Sequence, residues 1–158
     1  MDSSLKDITP PAEFSGEAQV LLYTRYGDPR DSGFDNKWIT EWHVHQHFSW
    51  FPEANIRIHK HLVPILDKAF KALERAGVQR EIRSCDNCFE IRNIKGSDAV
   101  LSVHSWGAAI DLNAKENPLG SMGKWSQAFI NIMSDSGVFC GQNWQGRKDP
   151  MHFSMVNG

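Results

Sequence analysis

The stretch Ser102–Asn113, taken together with Asp149–Phe153 near the C-terminus, constrains this chain more than any other feature. His104, Asp111 and His152 supply two imidazoles and one carboxylate, a three-ligand set that leaves a fourth position open on a catalytic zinc. A closed structural site draws more often on cysteine. His104 and Asp111 stand seven residues apart, an odd spacing that puts them on opposite faces of one unbroken strand. The spacing therefore predicts a kink, and Gly107 is the residue that tolerates one. Beyond it Ala108, Ile110 and Leu112 alternate with Gly107, Ala109 and Asp111. The side shared with Asp111 thus carries the smallest side chains, as a metal with a substrate lying across it requires.

Near the other end, Met151, Phe153 and Met155 alternate with His152 and Ser154, which predicts a strand that directs His152 away from the core. Asp149 precedes it, and Pro150 holds the intervening backbone extended. Asp149 is then expected beside the metal without ligating it, where it takes a proton from water.

At these residues the chain resembles the M15 zinc peptidases, the D-alanyl-D-alanine carboxypeptidase and L-alanyl-D-glutamate endopeptidase group that cuts peptidoglycan stem peptides. The Ser-x-His-x6-Asp of that family stands here as Ser102, His104 and Asp111, and its acidic-x-x-His stands as Asp149 and His152. A further likeness runs through Cys88–Gly96, where the endopeptidase-like branch carries a substrate-facing arginine, and the resemblance gives that role to Arg92. It covers roughly residues 56 to 156. The resemblance implies an α+β fold of the Hedgehog/D-Ala-D-Ala peptidase type, a small antiparallel sheet with flanking helices. It implies Zn2+ on His104, Asp111 and His152, Asp149 as the catalytic acid-base, and a peptidoglycan stem peptide as partner. The expected activity is that of an L-alanyl-D-glutamate endopeptidase of phage lysis, with D-alanyl-D-alanine carboxypeptidase action as the alternative.

Composition sets the outer bounds. A length of 158 residues, 41% hydrophobic and 23% charged, suits one domain over 1–158, acting as a monomer. A formal net charge of -2, with no Lys/Arg-rich run, leaves no electrostatic footprint for nucleic acid. No apolar run reaches the ~18 residues of a membrane span. The N-terminus lacks the basic, apolar, small-residue order of a secretory signal, so the expectation is a product made in the cytoplasm that acts at the cell wall or periplasm. Three cysteines cannot all pair within the chain, and no disulfide framework is indicated.

In chain order, residues 1–18 are expected as an extended lead-in and Tyr26–Gly33 as a turn-rich loop. Trp38–Phe48 alternates Trp42, Val44 and Phe48 with His43, His45 and His47, predicting a half-buried strand whose outer histidines are the rival metal site. One strand does not easily converge three imidazoles on a tetrahedral ion. Residues 59–76 carry the apolar spacing of a helix, with Pro64 in its first turn and Gly77 as C-cap, and His59 and His61 capping it or facing water. Gln79–Ser84 is predicted as a strand and Cys85–Cys88 as a turn, its thiols free or loosely paired, with a local disulfide or redox role as alternatives. Gly123–Gly137 is predicted as a second helix. Trp106 either packs the core or walls a substrate groove. The sheet carries the site on one face and both helices on the other.

Two readings from other classes compete. Two histidines and a carboxylate also form the facial triad of an iron(II) oxygenase, although the usual His-x-Asp spacing is missing. A non-catalytic domain of the same fold, binding wall peptide or a protein, is the other. Asp149 discriminates, because a binding module has no need for an acid three residues before the last ligand.

Overall fold

The computed structural model describes residues 11–158. Its architecture is α+β, as expected, with two antiparallel sheets rather than one. Helix α1 (Glu17–Tyr26) and the short α2 (Phe34–Trp38) lead into a two-stranded hairpin, β1 (Ile39–Trp42) and β2 (Ile56–His59). Helix α3 (Leu62–Ala76) follows, then β3 (Cys85–Asn87), β4 (Ala109–Leu112), α4 (Gln127–Asp135), β5 (Phe139–Gly141) and β6 (Asp149–Ser154). The last four strands form one sheet in the order β3-β4-β6-β5.

Helix α3 forms where its apolar residues recur every three or four positions. Leu62, Leu66, Ala69, Phe70 and Leu73 are all buried along one stripe. Pro64 costs nothing in the first turn, and Gly77 ends the helix in the left-handed conformation, φ 72°. Helix α4 starts later than the sequence suggests. Ser126 caps it, its Oγ accepting from the Phe129 N–H at 3.1 Å, and Trp125 lies before the cap, stacked on Phe129.

Both helices cover one face of the larger sheet. Ile110, Leu112, Cys140 and Phe153 meet Leu66, Phe70, Phe129 and Met133 in the main core. Trp42, Phe48 and Phe51 pack their rings around Phe70 in the same cluster. A second cluster gathers Phe14, Leu22, Trp106, Ala108 and Ala109 under α1. Its existence corrects the expectation about β4. The small side chain of Ala109 is fully buried and makes room for this layer, not for a substrate; only Asp111, farther along the strand, reaches a cleft. Trp106 belongs to this core, its indole N–H donating to the Gly27 carbonyl at 2.9 Å.

Other local expectations also change. The part of the lead-in at residues 1–10 lies outside the described residues, whereas residues 12–14 form a 3-10 turn and Glu17 already begins α1. The strand expected over Trp38–Phe48 stops at Trp42, and Val44–Gln46 is a 3-10 turn. Val44 and Phe48 are buried there, but His45, Gln46 and His47 are exposed in succession, the three-residue turn breaking the alternation of a strand. Gln79–Glu81 is likewise a 3-10 turn, and the strand falls on Cys85–Asn87, where a turn was expected. His59 does not face water. It is buried between Tyr26 and Trp38, and burial, with His61 and Lys60 nearby, holds its imidazole down at about 4.

Gly107 is the hinge between the 3-10 turn Val103–Trp106 and β4. Its φ of 67° is left-handed, and its carbonyl accepts the His59 N–H at 2.8 Å. A Cβ there would lie 2.7 Å from the His59 nitrogen. Gly107→Ala should therefore cost more than about 2 kcal/mol, strain and collision together. Gly33→Ala, where φ is -91° and nothing stands within 4 Å, should stay within about 1 kcal/mol. Urea unfolding followed by circular dichroism checks both; equal midpoints for the two variants would contradict the role given to Gly107.

Candidate metal centre

Three local devices bring the donors together. Ser102 caps the 3-10 turn, its Oγ accepting the His104 N–H at 3.2 Å, and the turn rotates His104 inward until it is fully enclosed. Gly107 then redirects the chain into β4, which delivers Asp111. Antiparallel pairing of β4 with β6 places Asp111 directly opposite His152, so both side chains share a face of the sheet.

His104 Nε2 lies 3.1 Å and His152 Nδ1 3.6 Å from the same oxygen, Asp111 Oδ1. The three donor atoms fall within 4.8 Å of one another, all on buried residues. The far side of each ring is tied to the main chain. His104 Nδ1 reaches the Cys88 carbonyl at 2.8 Å, and His152 Nε2 reaches the Gly158 main-chain oxygen at 2.7 Å. A carbonyl only accepts, so each of those nitrogens carries the proton. In the neutral rings, His104 Nε2 and His152 Nδ1 are then lone pairs aimed at a carboxylate. Three electron-pair donors converge with no proton between them, which is the arrangement a cation resolves, and the outward ring contacts are those that orient metal-binding histidines. The residues fit a zinc ion.

Electrostatics separates the two carboxylates of the cleft. Burial alone pushes Asp111 up, but donation and positive charge from the His104 and His152 rings outweigh it and hold its carboxyl well below the usual range; a cation among the three donors would supply that positive charge in place of ring protons. Its second oxygen, Oδ2, is 3.3 Å from Asn87 Nδ2 and 4.0 Å from an Arg92 nitrogen. Asp149 shifts the other way. Burial raises its pKa, and the nearby Asp111 charge adds to that against the opposing pull of His152. Its Oδ1 is buried with no hydrogen-bond partner. The two carboxyls of the cleft are thus pushed in opposite directions, the pattern from which acid and base roles are assigned.

Asp149 and His152 are three apart, which on a regular strand would send them to opposite faces. They line one cleft because β6 bulges. Cys140 pairs with Phe153 but the next residue, Gly141, pairs with Asp149, leaving residues 150–152 as extra chain. Gly141 permits this, since a Cβ there would collide with the Asp149 carbonyl. The Trp125 indole N–H holds the bulge by donating to the Pro150 carbonyl at 2.7 Å.

The cleft measures about 660 Å3, within the range of small-ligand sites. Arg92 lines it, half-buried, with Nε donating to Glu90 at 3.2 Å. Asn87, Trp144 and Arg147 line it too, and none was singled out from sequence. Asn87 sits on a strand too short for periodicity to show, and Trp144 on the β5–β6 loop, where spacing carries no information.

The rival histidines do not converge. His43 Nδ1 meets the Asn55 Oδ1 at 2.5 Å and His45 Nε2 the Phe51 carbonyl at 2.6 Å. Among the described residues, His104, Asp111 and His152 are the group with metal-binding spacing. Cys85 and Cys88 are free thiols with sulfurs 3.6 Å apart. The bond from Cys88, with burial, raises the Cys85 pKa, which works against a reactive thiolate.

A family model described as D-alanyl-D-alanine carboxypeptidase, within the M15 peptidases, matches residues 95–155. That span holds His104, Asp111, Asp149 and His152, and Arg92 lies just outside it. No curated protein and no solved structure matches the chain. Over the matched residues the chain is similar to that family, which supports a peptidase acting on peptidoglycan at the level of the family.

Proposed function

We propose that this chain is a zinc-dependent peptidoglycan peptidase that cleaves stem peptides as an L-alanyl-D-glutamate endopeptidase, a single domain acting at the cell wall in the manner of a phage lysis enzyme. The observation that carries the proposal is Asp149 Oδ1, buried without a partner in the cleft that holds His104, Asp111 and His152. A binding module gains nothing from an orphaned carboxyl of raised proton affinity there.

Held by His104, Asp111 and His152, a zinc ion would supply Lewis acidity, enough to bring the pKa of water to about 7 and to polarise a carbonyl. The protein's own residues do the rest. Asp149 takes a proton at Oδ1 during attack and returns it to the leaving amine, a role suited to a carboxyl whose pKa is raised. Asn87 holds Asp111 Oδ2, so that Oδ1 stays turned to the two rings. In a stem peptide D-glutamate is linked through its side chain, which leaves its α-carboxylate free beside the L-alanyl amide. Arg92 offers that group a planar, permanently charged fork beside Asp111.

The second reading is D-alanyl-D-alanine carboxypeptidase action, favoured by the description of the matched family. It would use an arginine on a terminal carboxylate. Mass spectrometry of a purified peptidoglycan digest separates the two: new L-alanine and D-glutamate termini are expected. Loss of terminal D-alanine with every L-Ala–D-Glu bond intact would overturn the endopeptidase proposal and favour the carboxypeptidase.

Asp149→Asn should keep its zinc, measured by elemental analysis, and lose turnover by about 10²–10⁴-fold. Hydrolysis within about tenfold of wild type would remove Asp149 from the acid-base role.

A further inference from the structure

Past His152 the cleft runs into a second one of about 580 Å3, and Trp144 and Gln19 stand in the walls of both. The two differ in chemistry. Arg92, Lys95 and Arg147 line the first, which suits carboxylates. The second has no lysine or arginine in its lining; beside the carboxylate of Glu17 it presents the amides of Asn143, Gln145 and Asn157 and the Trp144 indole. Amides give donors and acceptors together, and an indole gives a flat apolar face. With the Glu17 carboxylate repelling anions and accepting from hydroxyls, such a surface suits a ligand rich in hydroxyl and acetamido groups, which describes an N-acetylated sugar.

The loop that carries Trp144 is braced. Lys148 Nζ folds back to donate to the Gln142 carbonyl at 3.0 Å and to the Trp144 carbonyl at 2.6 Å. The Trp144 ring stands 5.4 Å from the His152 ring, whereas Arg92 stands at Asp111. A substrate whose D-glutamate carboxylate lies on Arg92 would then send its other end past His152 toward Trp144. In peptidoglycan that other end is L-alanine amide-linked to the lactyl group of N-acetylmuramic acid.

We infer that the second cleft binds the N-acetylmuramyl sugar of the uncut strand, stacked on Trp144 and hydrogen-bonded by Asn143, Gln145 and Asn157. The inference rests on the endopeptidase proposal, since the terminal D-Ala-D-Ala bond lies too far along the stem for the sugar to reach the same site. It makes the enzyme a reader of the glycan junction and not of free stem peptides.

Calorimetric titration of zinc-loaded Asp149→Asn protein with N-acetylmuramyl-L-alanyl-D-glutamate and with N-acetyl-L-alanyl-D-glutamate tests it. The muramyl ligand should bind at least about tenfold more tightly. Trp144→Ala in that background should bring the two ligands within about threefold, and Asn143→Ala with Gln145→Ala should do so in part should the tryptophan variant fail to fold. Equal affinities, or a preference that survives both sets of changes, would overturn the sugar site. Hydrolysis of both ligands by the wild-type protein separates this from the reaction itself. A muramyl preference with the L-Ala–D-Glu bond left intact would overturn the endopeptidase proposal and, with it, the placement of the sugar beside the cut bond; cleavage with equal affinities would keep the endopeptidase and overturn the sugar site alone.

Discussion

The pairing of Asp111 with His152 across β4 and β6 is the constraint on which the centre depends. Two strands in register bring a carboxylate and an imidazole face to face without any loop having to choose a conformation. His104 then needs only one turn of 3-10 helix and one left-handed glycine to join them. The rings are steered from behind by main-chain oxygens of Cys88 and Gly158, so the backbone sets the direction of both lone pairs. Because β4 is buried on both sides, slippage by one residue would exchange Asp111 for Ile110 or Leu112 and bury a charge in the main core, at a cost of several kcal/mol.

The same framework explains how one cleft holds two carboxylates whose proton affinities are pushed in opposite directions. Asp111 lies between two imidazoles and is held ionised, whereas Asp149 sits on a bulge where burial and a like charge favour its protonated form. The bulge exists because Gly141 lets β5 approach where a side chain would not fit. Chemistry and sheet geometry are thus coupled: the irregularity that spoils the β5–β6 ladder is what turns Asp149 toward the donors.

Much of this was legible in the residues, and for physical reasons. Donor types at odd spacing around Gly107 already required a hinge, and the left-handed backbone is found there. The apolar rhythm of α3, with Pro64 and Gly77 at its ends, left little freedom. What misled were short elements. His43, His45 and His47 mimic a strand because apolar Trp42, Val44 and Phe48 fall at even spacings, although the chain leaves the strand at Trp42 and turns at Val44–Gln46. Ala109 looked like room for a substrate because a small side chain does not say whether water or another layer of protein lies opposite; here that layer is α1 with Phe14 and Leu22. Asn87, Trp144 and Gly141 gave no signal, since their roles come from register shifts and from loop closure over long sequence separations.

X-ray absorption at the zinc edge of the zinc-loaded protein tests the central claim most directly. Coordination by His104, Asp111 and His152 requires nitrogen and oxygen neighbours only, at about 2.0–2.2 Å, with the outer-shell scattering of two imidazoles. A sulfur neighbour at about 2.3 Å would place the metal on Cys85 and Cys88 and contradict the account.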